Sequence, residues 1–247
     1  MTRFDPRPIA LREELECSVL LVETGLSACR ALTPPGQNYY TPLFLLSNGF
    51  ERLLKAAICF ALLDKYGDYP TGDTWKPNWW KTHSPRDLLG LLLELAQVPG
   101  LRAQAILAQA GDQSSILGRM WRVIDEQSMA KVGRYHLLDV VLSRRGTVHR
   151  GRVDPAFAWQ LMENDVVVGL IEAGQVTPDA EGAGHAYTLA VASIADEIGW
   201  LAWVIARMFK KWSLGDEAHL FSDAVEPLLK HEPPMRIVFA SAGESPG

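Results

Sequence analysis

The chain has 247 residues, of which 48% are hydrophobic and 21% are charged. This length and apolar content provide enough material for a hydrophobic core, so they exclude a chain that is disordered throughout. The 24 basic and 29 acidic residues give a net charge of −5. This balance excludes a generally basic surface that coats nucleic acid, but it leaves room for a local basic patch.

Helical spacing of apolar residues dominates the N-terminal half of the chain. Leu15, Val22 and Leu26, for example, recur on one face of the first predicted helix. Pro85 directly after Ser84 is typical of the first position of a helix. Helices are predicted in this half at about 8–31, at about 42–66, from Ser84 onward, at 101–110 and at 115–126.

The C-terminal half is also predicted to be helical. Asp154 followed by Pro155 combines a favoured capping residue with a first-turn proline. The helices of this half are predicted at about 130–143, 154–173, 185–213 and 215–231, with loops at 144–152 and 174–184 and a candidate break at Pro227. Since sustained period-two alternation is missing from the sequence, we expect one all-α domain over 1–231 and a flexible tail at 232–247.

The cysteines and the apolar stretches indicate a soluble cytoplasmic protein. Cys17, Cys29 and Cys59 lie in apolar helical patterns without a CxxC motif, so we expect buried free thiols in a reducing compartment. The N-terminus lacks the apolar run of a signal peptide. Charged residues in the middle of the apolar stretches at 43–63 and 187–209 argue against insertion into a membrane.

Two patterns outside the basic loop could carry chemistry, and neither is favoured. Asp216, His219 and Asp223 share a helix face, but a metal site would need further ligands and an ordinary solvated face is preferred. The loop at 67–83 contains three of the eight tryptophans, Trp75, Trp79 and Trp80. These indoles could stack on bases, although anchoring of the loop to the core is the preferred interpretation. No metal or cofactor is expected.

The loop at 144–152 is the most informative segment. It contains Arg144, Arg145, Arg150, Arg152 and His149 without any acidic residue. Guanidinium groups match phosphate oxygens, which points to a phosphate-binding role. The alternative is structural, because cations after a helix C-terminus interact favourably with the helix dipole. That alternative explains the first two arginines better than the last two.

Arg144 and His149 form an Arg-x4-His motif, which in an all-α domain resembles the HEPN superfamily (higher eukaryotes and prokaryotes nucleotide-binding). The string Gly-Phe-Glu-Arg-Leu-Leu-Lys, which ends at Lys55 on the second helix, is similar to an early helix in several HEPN-like families. The segment from His83 to Leu89 and the residues Arg134, Tyr135, Leu138 and Asp139 are further points of similarity. Together these elements span about 40–152.

The resemblance implies a HEPN-like helical bundle with additional C-terminal helices. It also implies a metal-independent endoribonuclease of a prokaryotic toxin–antitoxin or anti-phage defence type. Arg144 and His149 would be catalytic, and Arg145, Arg150 and Arg152 would bind RNA. Since one motif supplies one histidine, two chains would meet in a homodimer to complete the site, and an antitoxin or defence partner would be expected.

A catalytically inactive HEPN-like interaction module, which binds a partner protein or a nucleotide, is the alternative. The broad apolar surface predicted for the helix at 185–213 supports it.

Four polar residues of the second helix, Asn48, Glu51, Arg52 and Lys55, share one face by their spacing. We expect this face to line the same cleft as the basic loop, where Glu51 would orient His149 or neutralise Arg144. The alternative is a solvated face with an internal Glu51–Lys55 pair.

Overall fold

The computed structural model describes residues 5–33, 38–71, 75–76, 78–128 and 154–234. All regular elements within these residues are helical, which confirms the all-α prediction. The helices are α1 (Arg7–Arg30), α2 (Tyr40–Tyr66), a 3-10 turn (Trp79–Lys81), α3 (Pro85–Leu95), α4 (Leu101–Gly111), α5 (Ile116–Ser128), α6 (Pro155–Glu172), α7 (Ala180–Lys210), α8 (Asp216–Leu220) and α9 (Glu226–Leu229). The predicted helix at 130–143, the basic loop and the tail from 235 onward lie outside the described residues.

Two long helices, α2 and α7, form the centre of the bundle. α2 contacts α1, α3, α5, α6, α7 and α8, and α7 also contacts α1, α4, α5, α6, α8 and α9. Aromatic pairs join the layers: the Phe50 and Trp121 rings meet edge to face at 5.1 Å, and the Phe60 and Phe209 rings at 5.6 Å. A large cluster of buried apolar residues therefore runs through nearly every helix of the described chain.

Close packing of α1 on α2 depends on two glycines. A Cβ atom on Gly49 would lie 2.8 Å from Val22 Cγ2 and 2.9 Å from the Val22 nitrogen, and one on Gly25 would lie 2.8 Å from Leu46 Cγ. Only a residue without a side chain allows the two backbones to come this close. Gly49 lies between Asn48 and Phe50, so this packing also fixes the part of α2 that carries the predicted polar face.

The predicted start of the long C-terminal helix is wrong by one and a half turns. α7 begins at Ala180 rather than near 185. Asp179 caps it by accepting a hydrogen bond from the Gly182 nitrogen at 2.7 Å, and a Cβ on Gly182 would lie 2.1 Å from the Thr177 carbonyl oxygen. The predicted loop is therefore shorter than expected: it ends at Asp179, and 180–184 form the first turns of the helix.

The predicted last helix at 215–231 is two short helices, α8 and α9, joined by a turn. Pro227 lies in the first turn of α9, a position that tolerates proline because the missing N–H has no partner there. The proline therefore starts a helix and does not interrupt one.

The apolar surface of α7 is covered by the rest of the fold, which removes the support it gave to an interaction module. Glu181–Lys210 is long and apolar enough to cross a membrane, but 67% of its most apolar window is buried inside the protein. Ile194, Ile198 and Leu201 are at most 1% exposed. This pattern is that of a helix in the core of the fold.

The three thiols are free but not all buried, so that prediction is wrong for Cys17. Cys29 is buried, Cys59 is intermediate and Cys17 is exposed. Cys17 lies on α1 away from the face that carries Leu15, Val19 and Val22 into the core. Burial raises the pKa of Cys59 to about 12 and that of Cys29 further, which makes both thiols poor nucleophiles.

Candidate functional site

A line of residues along α2, which we call the α2 stripe, consists of Tyr40, Phe44, Asn48, Glu51 and Lys55. Their spacings of four, four, three and four residues keep them within about 80° of one another around the helix axis. The stripe carries four polar residues and one exposed aromatic ring, that of Phe44, which is 48% exposed. It is the side of α2 on which polar chemistry is concentrated.

Glu51 is the centre of a charged cluster on this stripe. Its carboxylate accepts a hydrogen bond from Lys55 Nζ at 2.9 Å, and its Oε1 also lies 2.9 Å from Nδ1 of His83. Glu51 is only 7% exposed. The interpretation as an ordinary solvated face is therefore wrong for Glu51, although the Glu51–Lys55 pair that it included is present.

A buried carboxylate requires compensation, because removal of a charge from water is unfavourable. Lys55 and His83 provide it from two directions, one from the next turn of α2 and one from the chain that precedes α3. Arg52 lies on the adjoining side of α2 and is engaged elsewhere, since its guanidinium holds both Glu14 oxygens at 2.5 and 2.6 Å. This contact lowers the pKa of Glu14 and ties α1 to α2.

The backbone beside His83 is held firmly by the start of α3. Ser84 caps the helix by accepting a hydrogen bond from the Asp87 nitrogen at 3.0 Å, and its hydroxyl donates to Asp125 Oδ1 of α5 at 2.6 Å. The Arg86 nitrogen donates to the same oxygen at 3.1 Å. His83 therefore stands on a rigid base, while its own side chain is 52% exposed.

The other end of the α2 stripe contacts the start of α6. Tyr40 Oη donates a hydrogen bond to Asp154 Oδ2 at 2.7 Å, and Asp154 Oδ1 accepts from the Ala156 nitrogen at 3.0 Å as the cap of α6. Burial and the Asp154 carboxylate both raise the pKa of Tyr40, so this hydroxyl is a hydrogen-bond donor at neutral pH.

Of the residues that the sequence analysis assigned to the site, the structure describes only those on the polar face of α2. Asn48 and Glu51 both lie on the α2 stripe, as their spacing predicts, and Asn48 Nδ2 donates to the Phe44 carbonyl at 2.7 Å. The catalytic candidates Arg144 and His149 and the RNA-binding candidates Arg145, Arg150 and Arg152 lie outside the described residues. Their assignment stays a prediction.

Sequence reasoning did not assign a role to His83. His83 contributes only to the helix start that resembles the HEPN families, and it lies 32 residues from Glu51 in the sequence. Its position directly before the Ser84-Pro85 helix start is the one local signal, because the backbone is held in place there. The packing of α3 against α2, which brings the two side chains together, is not encoded in any local pattern.

The residues of the weak metal motif have other partners. His219 stacks on Trp212 with ring centroids 3.7 Å apart, and Asp223 forms an ion pair with Arg12 at 2.7 Å. Across the described residues, no group of three or more histidine, cysteine, aspartate or glutamate side chains is arranged to hold a metal ion.

The tryptophan loop is anchored by two of its three indoles. Trp79 is 5% exposed and belongs to the core, and the partly buried Trp75 packs against it, which confirms anchoring for these two residues, whereas Trp80 is 46% exposed. A cavity of about 510 Å³ lies between this loop and α3. It is open to solvent, and Lys76, which lines it, is paired with Glu94.

A second cavity, of about 310 Å³, lies between α5 and α6 and is lined by two arginines. Arg119 pairs with Asp165 at 2.7 Å and Arg122 with Glu126 at 2.9 Å. An anionic ligand would have to displace these acids. The Glu51 cluster is therefore the better candidate for chemistry, because it offers an exposed imidazole.

Comparison of the chain with protein-family models, with curated proteins and with solved structures finds no match. The chemistry of the α2 stripe is therefore inferred from its own residues.

Proposed function

We propose that this chain is a metal-independent endoribonuclease of a prokaryotic defence or toxin type, with a HEPN-like site that uses Arg144 and His149. One observation carries the proposal: the residues that flank 129–153 are attached beside the α2 stripe at both ends. Asp125, one turn before the end of α5, accepts a hydrogen bond from the neighbour of His83. Asp154 accepts one from Tyr40. The described residues on the two sides of the basic segment therefore contact α2 or the helix start that carries His83.

The proposed chemistry needs no metal. A base removes the proton from a 2′-hydroxyl, whose oxygen attacks the adjacent phosphorus, and an acid protonates the departing 5′-oxygen. Histidine serves either role near neutral pH, and the Arg144 guanidinium would stabilise the charge on the phosphorane oxygens. Arg145, Arg150 and Arg152 would hold flanking phosphates. The free thiols fit a reducing cytoplasm.

The test compares RNA cleavage by the wild type with that by two variants. His149→Ala is expected to lower the rate at least ~10²-fold, the usual scale for loss of a general acid or base. Arg144→Ala is expected to cost about 2.7–4 kcal/mol of transition-state stabilisation, by analogy with the removal of an oxyanion-hole donor. EDTA should leave the wild-type rate unchanged, and RNA with a 2′-deoxy substitution at the cleavage site should stay intact.

Matched controls are available on the described surface. His185 on α7 is exposed and Arg30 pairs with Asp196, so His185→Ala and Arg30→Ala should cleave like the wild type. A wild-type protein that leaves RNA intact, or a His149→Ala variant that cleaves as fast as the wild type, would contradict the proposal.

The alternative, an inactive module that binds a partner protein, has one observation in its favour. Phe157, Leu161 and Val168 on α6 are 51%, 46% and 51% exposed and lie on one side of the helix. Exposed apolar residues of this kind are typical of an interface. If the wild type cuts no RNA and substitution of these residues abolishes association, the module becomes the better interpretation.

A further inference from the structure

We propose that His83, oriented by Glu51, is the general base that removes the 2′-hydroxyl proton in the cleavage reaction. This inference rests on the proposed function and adds a catalytic residue to it. It also adds a second imidazole, besides that of His149, for the two proton transfers.

The hydrogen bond to Glu51 sets the tautomer that a base requires. An ionised carboxylate only accepts hydrogen bonds, so Nδ1 of His83, 2.9 Å from Glu51 Oε1, is the nitrogen that carries the proton. The other nitrogen, Nε2, then presents a lone pair. Lys55 Nζ lies 2.9 Å from the same oxygen and helps to hold the carboxylate in this position.

Burial divides the pair into a fixed half and an accessible half. The Glu51 side chain is 10% exposed and the His83 side chain is 52% exposed. The carboxylate is therefore held inside the protein, while the imidazole that it orients reaches the surface. A substrate can approach His83 without any rearrangement of the core, because its side chain is half exposed. The Ser84 cap holds the backbone beside it in place.

The other described histidines lack this combination. His231 is bound to Glu23 at 2.7 Å, but its side chain is only 8% exposed. His219 is covered by the ring of Trp212. His185 is exposed, and no carboxylate among the described residues is paired with it. Of the histidines that the structure describes, His83 alone is both exposed and oriented by a buried acid.

The proton balance of the step is complete. Nε2 of His83 takes the proton of the 2′-hydroxyl while the 2′-oxygen bonds to phosphorus and the bond from phosphorus to the 5′-oxygen breaks. The general acid, which in the proposed function is His149, gives one proton to the 5′-oxygen. The products are a 2′,3′-cyclic phosphate and a free 5′-hydroxyl, and exchange of protons with water restores both groups.

A purely structural pair would look similar at rest, since His83 also helps to compensate the buried charge of Glu51. The two roles predict different effects of substitution. A structural role predicts a loss of stability, and a base predicts a loss of turnover together with a change in its pH dependence.

The experiment measures RNA cleavage against pH for the wild type, His83→Ala, His83→Gln and His185→Ala. His83→Gln keeps an N–H that can donate to Glu51 but cannot take a proton at neutral pH, so it separates the hydrogen bond from the proton transfer. Both His83 variants should lower kcat at least ~10²-fold with little change in KM. They should also lose the fall in rate at acid pH, because that fall reports protonation of the base. His185→Ala should match the wild type.

Chemical rescue and thermal denaturation complete the test. Added imidazole should restore part of the activity of His83→Ala, while His83→Gln should melt at the wild-type temperature. Variants of His83 that cleave like the wild type with the same pH profile would overturn this inference and leave the proposed function standing. A wild-type protein that does not cleave RNA would overturn both.

Discussion

At the scale of single residues, burial decides which acids of this chain are available for chemistry. Glu51 is buried with Lys55 and His83 as its partners, and Glu14 is held by Arg52. Glu197 on α7 is different, since burial raises its pKa to about 7 although a hydrogen bond from the Leu117 backbone N–H at the start of α5 acts in the opposite direction. The folded protein is therefore most stable when Glu197 is protonated and neutral.

Glu197 makes the stability of the protein depend on pH. The pKa in the folded protein, about 7, lies above the ordinary value of 4.5. The stabilisation from the protonated group is therefore full below 4.5 and is lost as the pH rises through 7. Glu197→Gln should remove this loss, so that the difference in unfolding free energy between variant and wild type changes by about 2–3 kcal/mol between pH 5 and pH 8. Urea denaturation at pH 5 and at pH 8 measures this difference in unfolding free energy.

Glu13→Gln is the control for this prediction, because Glu13 is an exposed residue of α1. The difference in unfolding free energy between Glu13→Gln and the wild type should be nearly the same at pH 5 and pH 8. If Glu197→Gln behaves in the same way, burial of Glu197 is not the source of the pH dependence.

At the scale of helices, α1 and α2 are the pair whose packing most constrains the site. Gly49 has no side chain, and Val22 of α1 occupies the space where a Cβ atom of residue 49 would lie. Any displacement of α1 would shift the turn of α2 that carries Glu51. The stability of this contact can be tested with a pair of glycine substitutions.

Gly49→Ala should destabilise the fold, because its Cβ would lie 2.9 Å from the backbone nitrogen of Val22, which cannot move alone. We expect a loss of about 1–3 kcal/mol, the usual cost of overpacking. Gly90→Ala on α3 is the matched control, since a Cβ there meets nothing within 4 Å. That substitution should stabilise by about 0.5–1 kcal/mol through better helix propensity. Melting temperatures that shift in the same direction for both variants would contradict this packing.

Local sequence patterns predict most helices correctly, and they fail where the same pattern occurs both in loops and in helices. Ser84 and Asp154 were identified as helix starts, and both cap as predicted. The glycines after Asp179 also occur in loops, and only the contact of Gly182 with Thr177 shows why they belong to a helix. In the site, periodicity placed Asn48 and Glu51 on one face. It could not predict His83 as the partner of Glu51, because that contact depends on how α3 packs on α2.

At the scale of the whole molecule, the long apolar helix α7 is packed in the core of the fold. α7 is surrounded by the other helices, and Phe157, Leu161 and Val168 of α6 are exposed apolar residues that share one helix face. Phe157 lies two residues after Pro155, at the start of the helix that Tyr40 and Asp154 attach to the α2 stripe. An interface on this face of α6 would therefore begin near the Tyr40 end of the α2 stripe. This surface supports a dimer, and the argument is independent of the number of histidines that the reaction needs.

We expect the protein to be a homodimer that uses this face of α6. Light scattering at micromolar concentration should give twice the mass of one chain. Phe157→Glu together with Leu161→Glu should give a folded monomer, since both changes bury charge in the interface. Leu220→Glu, at a residue that is 69% exposed on α8, should remain a dimer. A wild-type protein that is a strict monomer with and without RNA would contradict the dimer. If the α6 variant is monomeric yet still cleaves RNA, the site is complete within one chain, which a base at His83 allows. If cleavage stops with the dimer, the partner chain supplies an essential group.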